Sequence, residues 1–221
     1  MKVQLVSNIL DANTVIAKEM KRRYQERGIL VLNLMSAPGA GKTTILENTI
    51  ECLKEKVSIA VIEGDICTTL DADRIASHGV PVVQINTEGA CHLDANMIAR
   101  ALDNLPLEGV DLLIIENVGN LVCPAEFDLG EDLKVMVISV TEGNDKPNKY
   151  PLMFHESRAI LVNKQDLLPY TNFDMGALMQ DLADLNPHCQ VFPLSARTGE
   201  GVSAWVEWLE KQVRDKKGQG Q

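Results

Sequence analysis

Ile29-Leu30-Val31-Leu32-Asn33-Leu34-Met35-Ser36-Ala37-Pro38-Gly39-Ala40-Gly41-Lys42-Thr43-Thr44 is the stretch that decides the fold. A short apolar run ends in a turn dense in glycine and proline, and a helical pattern, Thr43–Glu55, begins there. The turn fits G-x-x-x-x-G-K-[ST], with Ser36 in place of the first glycine, in the strand–loop–helix context that the pattern requires. Gly39, Ala40 and Gly41 let backbone N–H groups wrap phosphates, and the helix N-terminus adds positive potential. Lys42 is expected to reach the β- and γ-phosphates, Thr43 to place its hydroxyl on Mg²⁺, and Thr44 to belong to the same nucleotide-binding turn.

Outward from this stretch, strand and helix signals alternate. Upstream, Asn8 to Gly28 reads as a helix, with Ile9, Val15, Ile16, Met20 and Tyr24 roughly on one face and Gly28 at the C-cap. Downstream, strands are expected at Val57–Ile62, Pro81–Ile85, Asp111–Ile115, Val135–Val140, Ala159–Val162 and Val191–Leu194. Helices are expected over Leu70–Ser77, Asp94–Leu105, Phe173–Leu185 and Val202–Arg214. The pattern predicts an α/β fold: a mostly parallel sheet with helices on both faces, ligands binding at the carboxyl ends of the strands. The expected organisation is an N-terminal helical segment (1–28) packed on a P-loop domain (29–214), followed by a flexible tail (215–221).

Composition narrows the function. The chain has 221 residues, with 21 Lys+Arg against 31 Asp+Glu and a formal charge of −10. That balance disfavours a general nucleic-acid binder. Apolar runs such as Leu112–Ile115 fall far short of the ~20 residues that span a bilayer. Met1-Lys2-Val3-Gln4 lacks the pattern of a signal peptide, so a cytoplasmic location is expected and no membrane partner. Five cysteines, an odd number, suit buried thiols or metal ligands in a reducing compartment. Cys52 reads as core, and Cys67 and Cys189 stay unassigned. His78, His155 and His188 read as surface or packing residues.

Two strand ends carry acids. Asp111–Ile115 runs into Glu116-Asn117-Val118-Gly119-Asn120, the arrangement of a Walker B acid and a switch. Glu116 would hold Mg²⁺ directly or through water, and the Gly119 N–H would sense the γ-phosphate. Ile62-Glu63-Gly64-Asp65 is the second: Asp65 would orient water or complete the Mg²⁺ shell, with Asp71 a weaker choice. Asn120 stands where a water-orienting Gln would be, and no arginine finger is evident, so slow hydrolysis is expected.

Asn163-Lys164-Gln165-Asp166 ends another strand. The Asp166 carboxylate can accept two hydrogen bonds, from guanine N1–H and the exocyclic amine, a donor pair that adenine lacks. Lys164 would cover the base, and Asn163 would pin neighbouring loops. The N–H groups of Ser195-Ala196-Arg197 could meet guanine O6. Together these argue for GTP over ATP. Lys146 and Lys149, in a glycine-flanked loop, either stay solvated or reach a nucleotide in a partner subunit.

Cys91-His92, just before a helix, and Cys123, just after the switch, offer thiolate and imidazole, which suit Zn²⁺ or Ni²⁺. Without a C-x-x-C, the spacing equally allows small core residues. If a metal is held, three ligands leave a four-coordinate ion incomplete, and a second chain could supply the rest.

Ser36–Thr44, Glu63-Gly64-Asp65, Glu88-Gly89-Ala90-Cys91-His92-Leu93-Asp94, Glu116–Pro124 and Asn163–Asp166 together resemble the HypB family, SIMIBI-class P-loop GTPases that assist nickel insertion into [NiFe]-hydrogenase. The Cys-His and Val-Cys-Pro elements are the more specific part. The resemblance implies a GTP-hydrolysing metallochaperone, with Cys91, His92 and Cys123 binding Zn²⁺ or Ni²⁺ at a nucleotide-responsive homodimer interface. It also implies a hydrogenase maturation partner and the hydrogenase large subunit as clients. The N-terminal cysteine-rich or histidine-rich nickel motif of some members has no counterpart in Met1–Asn8. Asn96 and Arg100 stand where some members carry further histidines. The competing readings are an accessory GTPase for urease or a cobalamin enzyme, a small-molecule P-loop kinase, and a module held together by structural zinc.

Overall fold

The computed structural model describes residues 9–65 and 69–218. Seven parallel strands form one sheet in the order β3-β2-β4-β1-β5-β6-β7. They are β1 (Leu30–Ser36), β2 (Ile59–Asp65), β3 (Val82–Asn86), β4 (Leu112–Glu116), β5 (Leu133–Ser139), β6 (Ala159–Asn163) and β7 (Gln190–Pro193). All seven expected strands are present, and their bounds differ by no more than three residues. β1 is the pivot of the order, flanked by β4 and β5, and every one of its residues is buried.

Strand alternation sorts the core into two faces. Leu30, Leu32 and Leu34 point into one layer, where α2 (Lys42–Leu53), α3 (Leu70–Ala76) and α9 (Val202–Gly218) add Ile50, Ile75 and Trp205. Ile29 and Val31 face the other way, onto α1 (Ile9–Glu26) and α4 (Ala95–Leu102). Met35 continues that face toward α7 (Pro151–Glu156) and α8 (Met175–Leu185). The Trp205 indole N–H is not stranded in this core: it donates to Thr49 Oγ1 at 3.0 Å.

α1 ends in a Schellman pair, Gly28 N to Gln25 O at 3.1 Å and Ile29 N to Tyr24 O at 3.0 Å, which turns the chain straight into β1. Its buried stripe is Asn13, Ala17, Met20 and Tyr24. Val15 lies off that spacing and is 69% exposed, against the expected face; Ile9's side chain and Asn8 fall outside the described residues. The closing helix runs past Arg214 to Gly218, where Lys216 bonds Asp132 at 2.6 Å and Lys217 bonds Asp111 at 2.7 Å. Residues 215–218 are therefore helical rather than tail, and 219–221 are outside the described residues. Cys52 is exposed, not core. At 100° per residue it sits at the edge of the α2 stripe of Ile45, Leu46, Thr49, Ile50 and Leu53. Cys67 lies outside the described residues.

Candidate functional site

The carboxyl ends of β1, β2 and β4 meet over a cavity of about 390 Å³ lined by Pro38, Gly39, Gly41, Lys42, Thr43, Thr44, Glu63, Gly64, Asp65, Asp71, Arg74, Glu116, Asn117, Val118 and Gly119. Gly41 caps α2 at φ 100°, and a Cβ there would fall 2.4 Å from Asn163 Nδ2, so both conformation and space demand glycine. Lys42 Nζ donates to Ser36 Oγ at 2.9 Å, so the serine at the first turn position holds the lysine head. Burial holds the Lys42 ammonium below the ordinary lysine range, opposed by Glu116, Asp71 and Glu63.

Thr43 Oγ1 donates to Glu116 Oε1 at 2.8 Å, and Glu116 Oε2 is buried with no hydrogen-bond partner. A buried carboxylate oxygen without a partner beside a threonine hydroxyl is a donor set of hard oxygens, and it fits Mg²⁺. Glu63 stands in register with Glu116 on the neighbouring strand and is 3% exposed, its Oε2 likewise unpartnered. Burial, then the Glu116 charge, pushes the Glu63 carboxyl up to about 8; burial, offset by Lys42, pushes Glu116 up to about 6. Asp65 lies in the same cavity, and Asp71 bonds Arg74 at 2.9 Å. Arg74 is the residue that sequence reasoning missed. α3 carries it to the cavity rim, where its guanidinium bonds Thr44 at 3.2 Å and Glu47 at 2.5 Å. No local motif marks it.

The base loops converge from β6 and β7. Asn163 Nδ2 donates to Ala40 O at 2.8 Å while its Oδ1 accepts from Ala196 N at 3.0 Å, so one buried amide joins the phosphate loop to the second base loop. Lys164 Nζ donates to Gly39 O at 2.7 Å. Asp166 Oδ1 accepts from Ser195 Oγ at 2.7 Å, and Arg197 lies 4.0 Å from Oδ2. The loop's N–H groups, expected to meet guanine O6, have partners at Ser195 and Ala196. Their N–H groups are given to Glu200 O and Asn163 Oδ1 and brace the loop instead. Lys146 and Lys149 fall on α6 (Lys146–Lys149), outside the phosphate cavity; Lys149 pairs with Asp145.

Cys91 and His92 come together with Cys123, which lies 32 positions beyond Cys91: one ligand atom from each lies within 4.8 Å of the others. The two Sγ atoms are 3.1 Å apart, and Cys91 Sγ is 3.7 Å from His92 Nδ1. Cys123 opens the four-residue α5 (Cys123–Glu126), too short for periodicity to reveal. The His92 ring lies 3.8 Å from Phe127 between centroids, and its burial lowers its pKa, favouring the neutral, metal-ligating imidazole. The Cys91 contact, followed by burial, raises Cys123.

Buried amides tie this cradle to the sheet. Asn117 Oδ1 accepts from Leu93 N at 3.3 Å and from Val118 N at 2.9 Å; its Nδ2 donates to Asn33 Oδ1 at 3.2 Å, and Asn33 donates on to Glu131 at 3.3 Å. Breaking one link leaves a buried polar group unsatisfied, about 1–3 kcal/mol. A Cβ on Gly64 would fall 2.8 Å from Leu93 Cδ1, so the residue after His92 seats against the acidic end of β2.

A family model described as CobW/HypB/UreG, nucleotide-binding domain, matches residues 30–193. The hydrogenase maturation factor HypB of Escherichia coli (strain K12) is 52% identical over 205 residues, covering 93% of this chain and 71% of that protein. The crystal structure of HypB from Helicobacter pylori in complex with nickel is similar at TM-score 0.87 and 40% identity, over 93% of this chain and 97% of that one. The structure of the hydrogenase maturation factor HypB from Archaeoglobus fulgidus is similar at TM-score 0.86 and 36% identity, over 92% and 100%.

Proposed function

Since the chain belongs to the CobW/HypB/UreG family, in its HypB branch, we propose that it is a GTP-hydrolysing metallochaperone that carries nickel for [NiFe]-hydrogenase assembly. One observation carries the reading. The stretch that begins with Glu116 in the phosphate cavity ends seven residues later at Cys123 in the sulfur–imidazole cradle.

Lys42 exchanges Ser36 for the β- and γ-phosphates. Asp166 exchanges Ser195 for guanine N1–H and the exocyclic amine, a choice that excludes adenine. Thr43 and Glu116, with Asp65, would hold Mg²⁺, which neutralises charge on the transferring phosphoryl group. Gly119, with a would-be Cβ 3.1 Å from Pro38, lies against the phosphate loop, where its N–H can follow the γ-phosphate. Hydrolysis is slow because no Gln follows Gly119 and Arg74 is occupied by Glu47 and Asp71.

Nickel is the cargo. The neutral His92 imidazole offers its lone pair, and the thiols release protons on binding. A second copy of the chain supplies what three ligands lack, so the working form is a homodimer that depends on GTP or metal. The recipients are a hydrogenase maturation partner and the hydrogenase large subunit. The test is nickel affinity and oligomeric state with Mg²⁺ and either GDP or a non-hydrolysable GTP analogue. An affinity shift of about 5–150-fold, with dimer formed in the GTP-analogue state, is expected. Equal affinities and equal dimerisation would sink the chaperone reading and leave a guanine-nucleotide hydrolase.

A further inference from the structure

Asn120 occupies the position after Gly119 where a hydrolytic switch would place a Gln, yet it does not line the phosphate cavity. Its side chain turns to the cradle. Nδ2 donates to Cys91 O at 3.0 Å, and Oδ1 accepts from Val122 N at 2.9 Å, which sets the entry to α5 and Cys123. One short side chain thus holds the backbone of both cysteine-bearing loops. Asn117, two residues before Gly119, is the opposite in kind: it is 1% exposed, backed by Asn33 and Glu131, and holds Leu93 N. The Cys91–Leu93 segment is therefore tied at one end to a fixed anchor and at the other to the residue following the phosphate sensor. A displacement of Gly119 moves the Asn120 end against the Asn117 end.

We propose that Asn120 is a positioning residue that transmits movement of the Gly119 turn to Cys91 and Cys123, changing the shape of the nickel cradle with the nucleotide state. This rests on the nucleotide–nickel coupling proposed above and names the side chain that carries it. Cys123 is reached covalently through residues 121 and 122; the Cys91 backbone is reached through the Asn120 amide and, by way of Leu93, through Asn117, while the Cys91 thiol meets Cys123 Sγ at 3.1 Å. Without the amide, one cradle half follows the nucleotide and the other stays with the core.

The experiment is nickel titration of the full chain with Mg²⁺ and GDP or a non-hydrolysable GTP analogue, read by the thiolate-to-nickel charge-transfer band, for wild type, Asn120→Ala, Asn120→Asp and Asn120→Ser. Asn120→Asp keeps the acceptor for Val122 N and loses the donor to Cys91 O; the uncharged Asn120→Ser controls for its added charge. The expected result is that all three keep GDP affinity and melting temperature, and keep nickel affinity with GDP to within a few-fold. The ratio of nickel affinities between nucleotide states falls toward one, and the band no longer changes with nucleotide. A wild-type ratio preserved in Asn120→Asp and Asn120→Ser overturns the transmission role while leaving the coupling intact. Loss of nickel binding in both states makes Asn120 a structural support and also overturns it. A ratio of one in the wild type removes the coupling itself, and this role with it.

Discussion

Glu116 and Cys123 lie on one short stretch of chain, yet the first is 3% exposed at the end of a strand covered on both faces while the second opens a four-residue helix near the surface. The nucleotide half of the site is built from strand ends and the turn that follows β1. Its pieces are held by buried groups such as Asn163 and Thr43. The metal half is built from loops, tied by amides to the sheet, and offers three ligand atoms where a tetrahedral ion wants four. A strand end fixes geometry in advance, as phosphate chemistry requires. A loop held by single hydrogen bonds is less firmly fixed, which suits the binding and release proposed for nickel.

The sharpest way to break this contrast is Lys42→Ala. It should weaken GDP and GTP binding by about 10³-fold, the order expected when a charged contact to phosphates is lost. Nickel affinity without nucleotide should stay within a few-fold. Fluorescent-nucleotide titration beside a nickel competition assay reads both. If nickel binding falls with it, the two halves are not separately built. The converse is Cys91→Ala, for which nickel affinity should drop by roughly 10²-fold with guanine-nucleotide affinity intact. A matching loss of nucleotide affinity would mean that the loop supports the phosphate cavity.

The smallest effect concerns pH. In the folded chain Glu63 and Glu116 keep protons up to about 8 and 6, whereas unfolding returns both carboxyls to about 4.5. Between those limits the folded state binds more protons than the unfolded, so the stability of the nucleotide-free protein falls as pH rises from about 4.5 toward 8. The melting temperature should decline across that window. Glu63→Gln should raise it at pH 8 by about 2–4 °C, the shift that about 1 kcal/mol gives in a chain of this size, and leave it nearly unchanged at pH 5. A flat profile in both proteins would show that the strand-end acids are not held protonated.

Much of the nucleotide half was legible because its signals are local. Ser36–Thr43, Glu116 and Asn163–Asp166 each follow an apolar strand within a few residues, and parallel strands bring their ends together whatever the helices do. Arg74 escaped because only the packing of α3 brings it to the cavity. That the Asn120 side chain turns to the cysteine loops escaped notice, since sequence cannot show which way a side chain points. Val15 and Cys52 were misplaced because apolar type alone does not say which side of a helical stripe meets the sheet.

From its residues alone the chain determined a parallel sheet, a P-loop turn and the placing of Asp166 just beyond a strand end, because all depend on spacing within one strand–turn–helix unit. What only the tertiary structure decided is that Cys91, His92 and Cys123 meet beside the switch, that Asn163 joins two loops, and that Glu63 and Glu116 share one buried corner. These are contacts between segments far apart in the chain. They follow from the order in which the strands lie side by side, which no local pattern encodes.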